Sequence, residues 1–201
     1  QASGEMSDDE FTSFLRTAFS NLIRYSKDGS IHYHFMDWRH MKNIIDAGTE
    51  YTELKNLCVW EKMLAGMGSL YRSQHELCFV FKNGTAPHTN HIELGKHGRY
   101  RTNVWKYQGM HVSNKQAKDL GKIHPTVKNT AMLMDMLLDC SNPRDVVLDC
   151  FGGSGSTLIA AERTGRTAAI IELSAEYCDV ILARWENETG KKAQLLERGE
   201  V

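Results

Sequence analysis

The chain has 201 residues, 24 basic against 25 acidic, for a formal net charge of −1. With 41 % apolar and 24 % charged residues it reads as one ordinary globular domain, or one with a small insertion, which excludes collagen, coiled-coil and disordered classes. No apolar run approaches the roughly 18 residues of a membrane span, and no basic stretch followed by an apolar one suggests a secretory signal.

The near-zero charge hides a division. Residues 82–128 hold nine basic residues (Lys82, Lys96, Arg99, Arg101, Lys106, Lys115, Lys118, Lys122, Lys128) and two acidic ones (Glu93, Asp119), a balance of +7, which leaves −8 elsewhere. A basic insert in an acidic scaffold is expected to meet a polyanion. Five widely spaced cysteines (Cys58, Cys78, Cys140, Cys150, Cys178) contain no CxxC and cannot all pair, so they read as buried reduced thiols in a reducing, cytoplasmic compartment. His32 and His34 form an HxH on the strand face opposite Ile31, Tyr33 and Phe35, but without further ligands no metal is expected.

Ser7 and Glu10 make a capping box, and Phe11, Phe14, Leu15, Ala18, Phe19, Leu22 and Ile23 recur at helical spacing, so a helix with one buried face is predicted over 8–25. After the Asp28-Gly29 turn, Ile31, Tyr33 and Phe35 alternate as a strand. Asp37 caps a predicted helix to Ala47, stopped by Gly48; Leu54–Trp60 and Glu76–Phe81 are predicted strands with a glycine loop between them. From Asn83 to Lys122 periodicity is lost. A helix is predicted over Thr130–Leu138, a buried strand at Val146–Leu148, a helix over 156–163 ended by Gly165, a buried strand at Ala168–Ile171, and a helix capped by Ser174. Strand, loop, helix, strand, helix is a parallel α/β unit.

Val146-Val147-Leu148-Asp149-Cys150-Phe151-Gly152-Gly153-Ser154-Gly155-Ser156-Thr157 is a strand, a glycine turn and a helix start, where free backbone N–H groups meet a closely approaching ligand. No lysine follows Gly155, as a P-loop needs, and the third glycine of a dinucleotide fingerprint is Leu158 here. The remaining ligand class is S-adenosylmethionine. Asp149 at the strand tip suits its ammonium, and Glu172 at the next strand tip suits its ribose hydroxyls. The plainer alternative is a tight turn with Glu172 as an ordinary strand-end charge.

A wider set of residues decides between them. His124-Pro125-Thr126-Val127-Lys128, the glycine segment, Ala160-Ala161-Glu162-Arg163-Thr164-Gly165-Arg166, Ile171-Glu172-Leu173 and Glu176-Tyr177 together resemble the S-adenosylmethionine-dependent amino-methyltransferases of DNA with permuted, beta-type motif order, from bacteria or phage. The resemblance covers 122–201 closely. It extends more loosely to Val59-Trp60-Glu61-Lys62, Tyr71-Arg72-Ser73-Gln74-His75-Glu76 and Asn103-Val104-Trp105-Lys106-Tyr107-Gln108-Gly109.

The resemblance implies a Rossmann-like α/β sheet, mostly parallel with an antiparallel strand, and a basic target-recognition insert. It implies that His124, Thr126 and Lys128 hold the methionine end of the cofactor, that Phe151, Gly153, Ser154 and Gly155 line it, that Asp149 lies at its amino end, that Glu172 takes the ribose and that Leu173 packs near the adenine. Asn129 and Cys150 stand where the family has proline, and Ser156 where it commonly has threonine; the lost prolines reduce pre-organisation.

Methyl transfer to an exocyclic amine requires the nitrogen to be aimed in line at the methyl. The family does this with an Asp/Asn/Ser-Pro-Pro-aromatic motif, whose ring stacks on the flipped base. The prolines here are Pro87, Pro125 and Pro143, none adjacent, so the motif is absent from these residues. It is expected upstream of Gln1, which is no translation start, together with strands needed to complete a seven-stranded sheet.

In the basic segment, Arg99, Arg101, Lys106, Lys115 and Lys118 alternate with Tyr100, Trp105 and Tyr107, a pattern suited to phosphates and bases; for Trp105 and Tyr107 the alternative is packing in the core. Lys62, Arg72 and Asp37-Trp38-Arg39 are weaker candidates. The expected division is 1–82 as the N-terminal half of the catalytic domain, 83–122 as the recognition insert and 123–201 as the cofactor half. The expected activity is DNA methylation at adenine N6, as in restriction-modification systems. Cytosine N4, a catalytically inactive DNA-binding homologue, and an RNA or small-molecule enzyme are the alternatives. Cytosine C5 chemistry at Cys150 is disfavoured by its place in the cofactor loop. Double-stranded DNA is the implied partner, a homodimer is allowed, no membrane is involved, and the setting is the nucleoid of a bacterial or phage-infected cell.

Overall fold

The computed structural model describes residues 6–96, 98–109 and 127–196. They divide into two compact units: Gln1–Gly109 with Asp139–Ser141, and Met110–Leu138 with Asn142–Val201. Of the basic stretch, residues 82–96 and 98–109 group with the first unit and Val127 and Lys128 with the second.

In the first unit, α1 (Asp8–Arg24) opens with the predicted capping box, Glu10 Oε2 accepting from Ser7 N at 2.8 Å. It buries Leu15, Phe19 and Leu22, one narrow stripe; Phe14, expected on that face, is 39 % exposed. β1 (Ile31–Met36) follows. Asp37 caps as expected, accepting from Arg39 N at 2.8 Å, but what it starts is a 3-10 turn, Trp38–His40, and α2 (Met41–Ala47) begins only afterwards. Gly48 ends α2 without the left-handed conformation of a usual glycine stop. Its small size is needed instead, because a Cβ there would lie 2.4 Å from the Phe81 ring.

β2 (Glu53–Lys62) and β3 (His75–Lys82) pair antiparallel, β3 pairs antiparallel with β1, and β4 (Val104–Tyr107) runs parallel to β2, giving the order β1-β3-β2-β4. β4 is a strand the sequence did not announce. Phe19, Ile44, Trp60, Cys78, Phe79 and Phe81 form the core. His32 and His34 share one face of β1, as expected. Each places a ring nitrogen 2.9 Å from Tyr51 Oη, among Phe19, Tyr51 and Phe81. Burial pushes His32 down to about 4; burial, then the neighbouring His32, pushes His34 down to about 3. Both are therefore neutral packing and hydrogen-bonding groups at neutral pH.

In the second unit lie most of α3 (Thr130–Cys140), then β5 (Val146–Asp149), α4 (Ser156–Thr164), β6 (Thr167–Ile170) and α5 (Ala175–Thr189). β5 and β6 pair in parallel, and Gly165 ends α4 at φ +70. Neither strand is buried throughout as expected: Val146 is 69 % exposed and Thr167–Ile170 alternates. A two-stranded sheet leaves each strand without a neighbour on one side. The α/β class holds, with parallel and antiparallel pairings both present among the described strands. No helix among the described residues is long and apolar enough to cross a membrane.

Candidate cofactor and nucleic-acid sites

The glycine turn joins the end of β5 to the start of α4. Gly152 permits close packing, since a Cβ there would lie 2.5 Å from Ile170 Cγ2; Gly155 sits at φ +77 as the N-cap of α4. No side chain caps α4, so its first backbone N–H groups face the turn. Asp149 and Glu172 clamp this turn from both strand tips. Asp149 Oδ1 accepts from Phe151 N at 2.9 Å and Oδ2 from Thr157 Oγ1 at 2.6 Å. Glu172 Oε2 accepts from Gly153 N at 2.7 Å and Oε1 from Ser174 N at 2.9 Å.

Each carboxylate oxygen has two acceptor positions. These bonds orient both groups. Glu172 thus braces the turn through two backbone N–H groups. Beside it Phe151, Ile171 and Leu173 are 56, 60 and 99 % exposed, an apolar rim next to a fixed carboxylate. That pairing of surfaces fits the adenine and ribose of S-adenosylmethionine. Ser154, expected to line the cofactor, is buried instead; its hydroxyl lies 3.4 Å from that of Ser156. Lys128 is half-buried ahead of α3, while His124 and Thr126 lie outside the described residues.

Two features were not foreseen. Arg184 on α5 donates through Nη1 to the Ser154 carbonyl and lies 3.2 Å from its hydroxyl, pinning the turn from beneath. Asn129, where the family has proline, accepts from Met132 N at 3.1 Å and so caps α3. Burial, then the Asp149 charge, pushes the Cys150 thiol up to about 11, which leaves it protonated and unsuited to nucleophilic attack at neutral pH. None of the five cysteines forms a disulfide, and Cys58 and Cys78 are the buried ones, Cys140, Cys150 and Cys178 being partly exposed.

The basic segment is organised differently. Asp139, 2 % exposed, receives Arg99 Nε at 2.6 Å, and Arg101 Nε lies 3.1 Å from its other oxygen. Arg101 also donates to Tyr107 Oη at 3.0 Å and lies over the Trp105 ring. Trp105 is 6 % exposed, with its indole N–H on the Thr102 carbonyl. Arg99, Arg101, Trp105 and Tyr107, expected at DNA, are therefore joined in an internal cluster; for Trp105 the core alternative is the one observed. The reason is a carboxylate from α3 that the segment's own charge count omits. Tyr100 between the arginines takes φ +51 and is 67 % exposed. Lys106 is 75 % exposed, its Nζ 3.5 Å from Glu61. Lys62 pairs with Glu76 at 2.9 Å. Lys115 and Lys118 lie outside the described residues.

The N6/N4 methyltransferase family model, described as DNA methylase, matches residues 1–183. Type II methyltransferase M.HpaI of Haemophilus parainfluenzae is 34 % identical over 91 residues, 45 % of this chain and 28 % of that protein. M1.MboII of Moraxella bovis is 33 % identical over 99 residues, 49 % of this chain and 36 % of that protein. The matched stretch is thus well under half the length of these relatives. The solved M1.HpyAVI–SAM complex superposes with a TM-score of 0.72 at 22 % identity, over 90 % of this chain and 85 % of that one. The cytosine-N4-specific PvuII DNA methyltransferase gives 0.72 at 15 % identity, over 92 % and 74 %. The fold is that of these Rossmann-like proteins, and with the family model spanning most of its length the chain belongs to the N6/N4 DNA methylase family.

Proposed function

We propose that this chain forms the cofactor-binding and part of the DNA-binding framework of an S-adenosylmethionine-dependent DNA amino-methyltransferase acting on adenine N6. The observation that carries this reading is the family match over 1–183 falling on a glycine turn clamped at both strand tips by Asp149 and Glu172. When bound, S-adenosylmethionine supplies an electrophilic methyl group. Glu172 holds the ribose hydroxyls, Asp149 meets the ammonium, Gly153 and Gly155 let the backbone approach, and Phe151 and Leu173 cover the adenine. His124, Thr126 and Lys128 hold the methionine end, and the Ser154 main chain completes the turn.

No catalytic residue is assigned within this chain, since no adjacent prolines occur in it. That same feature favours a second reading, a DNA-binding homologue without catalysis. On the DNA side, Lys106, Lys115 and Lys118 meet phosphates, with Tyr100 as an exposed ring; Arg99, Arg101, Trp105 and Tyr107 shape the surface from within. The test is the full-length protein with labelled S-adenosylmethionine and duplex DNA, followed by nucleoside analysis. Labelled N6-methyladenine is expected. Labelled N4-methylcytosine moves the target base, and cofactor binding without labelled DNA leaves the homologue without catalysis.

A further inference from the structure

Asp37-Trp38-Arg39 and Tyr71-Arg72 lie far apart in sequence, and the proposed methyl transfer uses neither. In the first unit Trp38, Arg39, Tyr71 and Arg72 line one cleft of about 310 Å³, together with Ser73 and His75. That volume is at the lower end for small-molecule sites.

Both walls are fixed. On one side Asp37 Oδ1 accepts from Arg39 N at 2.8 Å and Oδ2 lies 2.7 Å from His40 Nδ1, which holds the turn after β1. The Trp38 ring there is 48 % exposed, and Arg39 Cζ stands 4.6 Å from its centroid. Arg39 has no carboxylate partner among the described residues. On the other side, the loop from β2 to β3 is closed by Arg72, which donates to the carbonyls of Ala65 at 2.6 Å and Gly66 at 3.3 Å. A Cβ at Gly68 would lie 1.8 Å from the Tyr71 carbonyl, so only glycine allows this fold of the loop. Leu70 and Tyr71 are each 83 % exposed on it.

Large rings held open to water by a fixed backbone indicate a binding surface. The lining carries two arginines and a histidine and no acid. Aromatic faces, guanidinium groups and a serine hydroxyl are the chemistry that recognises a nucleotide: stacking for the base, charge-assisted hydrogen bonds for the phosphate. We infer that this cleft receives one unstacked nucleotide of the DNA strand, its base against Trp38 and Tyr71 and its phosphate at Arg39 and Arg72. The inference rests on DNA being the substrate, as proposed above, and adds where the strand is gripped.

The test is equilibrium binding of a short fluorescent single-stranded oligonucleotide to the full-length protein. Trp38→Ala and Tyr71→Ala are each expected to weaken binding roughly tenfold. Trp38→Phe and Tyr71→Phe are expected to retain most of it. Arg39→Gln is expected to lower the salt slope by about one phosphate, and it decides the matter if an alanine variant does not fold. S-adenosylmethionine binding by the same variants should stay at the wild-type level. Wild-type oligonucleotide affinity in both alanine variants, or an unchanged salt slope for Arg39→Gln, overturns the cleft assignment even if the protein methylates DNA. Conversely, absence of DNA methylation by the wild type removes the proposed reaction and leaves the oligonucleotide result standing.

Discussion

The two units use polar groups in opposite ways. In the second, Asp149 and Glu172 lie at strand tips, accept backbone hydrogen bonds and stand beside exposed apolar side chains. In the first, the most conspicuous cations, Arg99 and Arg101, turn inward to a buried carboxylate, and two histidines turn inward to a tyrosine hydroxyl. A charge in a glycine turn thus braces backbone N–H groups, whereas a charge in a basic stretch can be an internal counterion. Segment charge does not distinguish these cases, because the neutralising group comes from 40 residues away.

The largest effect should come from breaking the internal cluster. Asp139→Ala leaves Arg99 and Arg101 without their shared carboxylate. Removing one partner of a buried ion pair costs about 3–5 kcal/mol, and the partial exposure of Arg99 places the expectation near the lower end. Urea denaturation of the variant measures it. A loss below about 1 kcal/mol, the range of a surface pair, would mean the arginines are solvated and free for DNA.

Acid should separate the two units next. His32 and His34 are held below the roughly 6.5 of an unfolded histidine, at about 4 and about 3. The unfolded chain therefore binds more protons in that window. Their contribution is fully present above pH 6.5 and is lost as pH falls through 6 towards 4 and 3, at up to about 1.4 kcal/mol per pH unit per histidine. Near-ultraviolet circular dichroism, which reports the Phe19–Tyr51–Phe81 cluster, should lose signal in this range, and Tyr51→Phe should shift the midpoint. The second unit has no histidine among its described residues. A midpoint at or below pH 3, unmoved by Tyr51→Phe, would remove the histidines as the cause.

At the glycine turn the expectation is smaller and falls on binding. Glu172→Gln keeps a carbonyl for one of the two backbone N–H groups and removes the charge. S-adenosylmethionine affinity should fall roughly tenfold, with thermal stability nearly unchanged. Glu172→Ala removes both acceptors and should loosen the turn as well, visible as faster amide exchange at Gly153 and Ser174. Wild-type affinity in the glutamine variant would make Glu172 a clamp on the turn and nothing more.

What was legible follows the same division. The glycine turn, its flanking strands and the caps at Ser7, Asp37 and Ser174 are local, each set by residues a few positions apart, and the sequence shows them directly. β4 escaped notice because four residues are too few to display alternation, and its partner β2 lies about 45 residues earlier. The Asp139 pairing and the Arg184 strut connect residues 40 and 30 positions apart, which no periodicity encodes. The sequence allows Trp105 either role; its burial comes from β4 joining the sheet, so one four-residue strand decides the place of an aromatic residue.

The smallest effect is the sharpest test of the surface left for DNA. Lys106 is 75 % exposed and its Glu61 contact is 3.5 Å long, so it is a solvated cation beside a packed tryptophan. Lys106→Ala should change stability by no more than about 0.5 kcal/mol, as exposed pairs contribute little. If it meets a phosphate, the slope of log affinity against log salt should fall by about one, uniformly across DNA sequences. Arg101→Ala should do the reverse, lowering stability by taking one of the two arginines from the buried Asp139 while leaving that slope unaltered in the folded fraction. If instead Arg101→Ala reduces the slope and Lys106→Ala does not, the inward-facing arginine is the DNA contact, and the contrast between the two units fails at the residue that defines it.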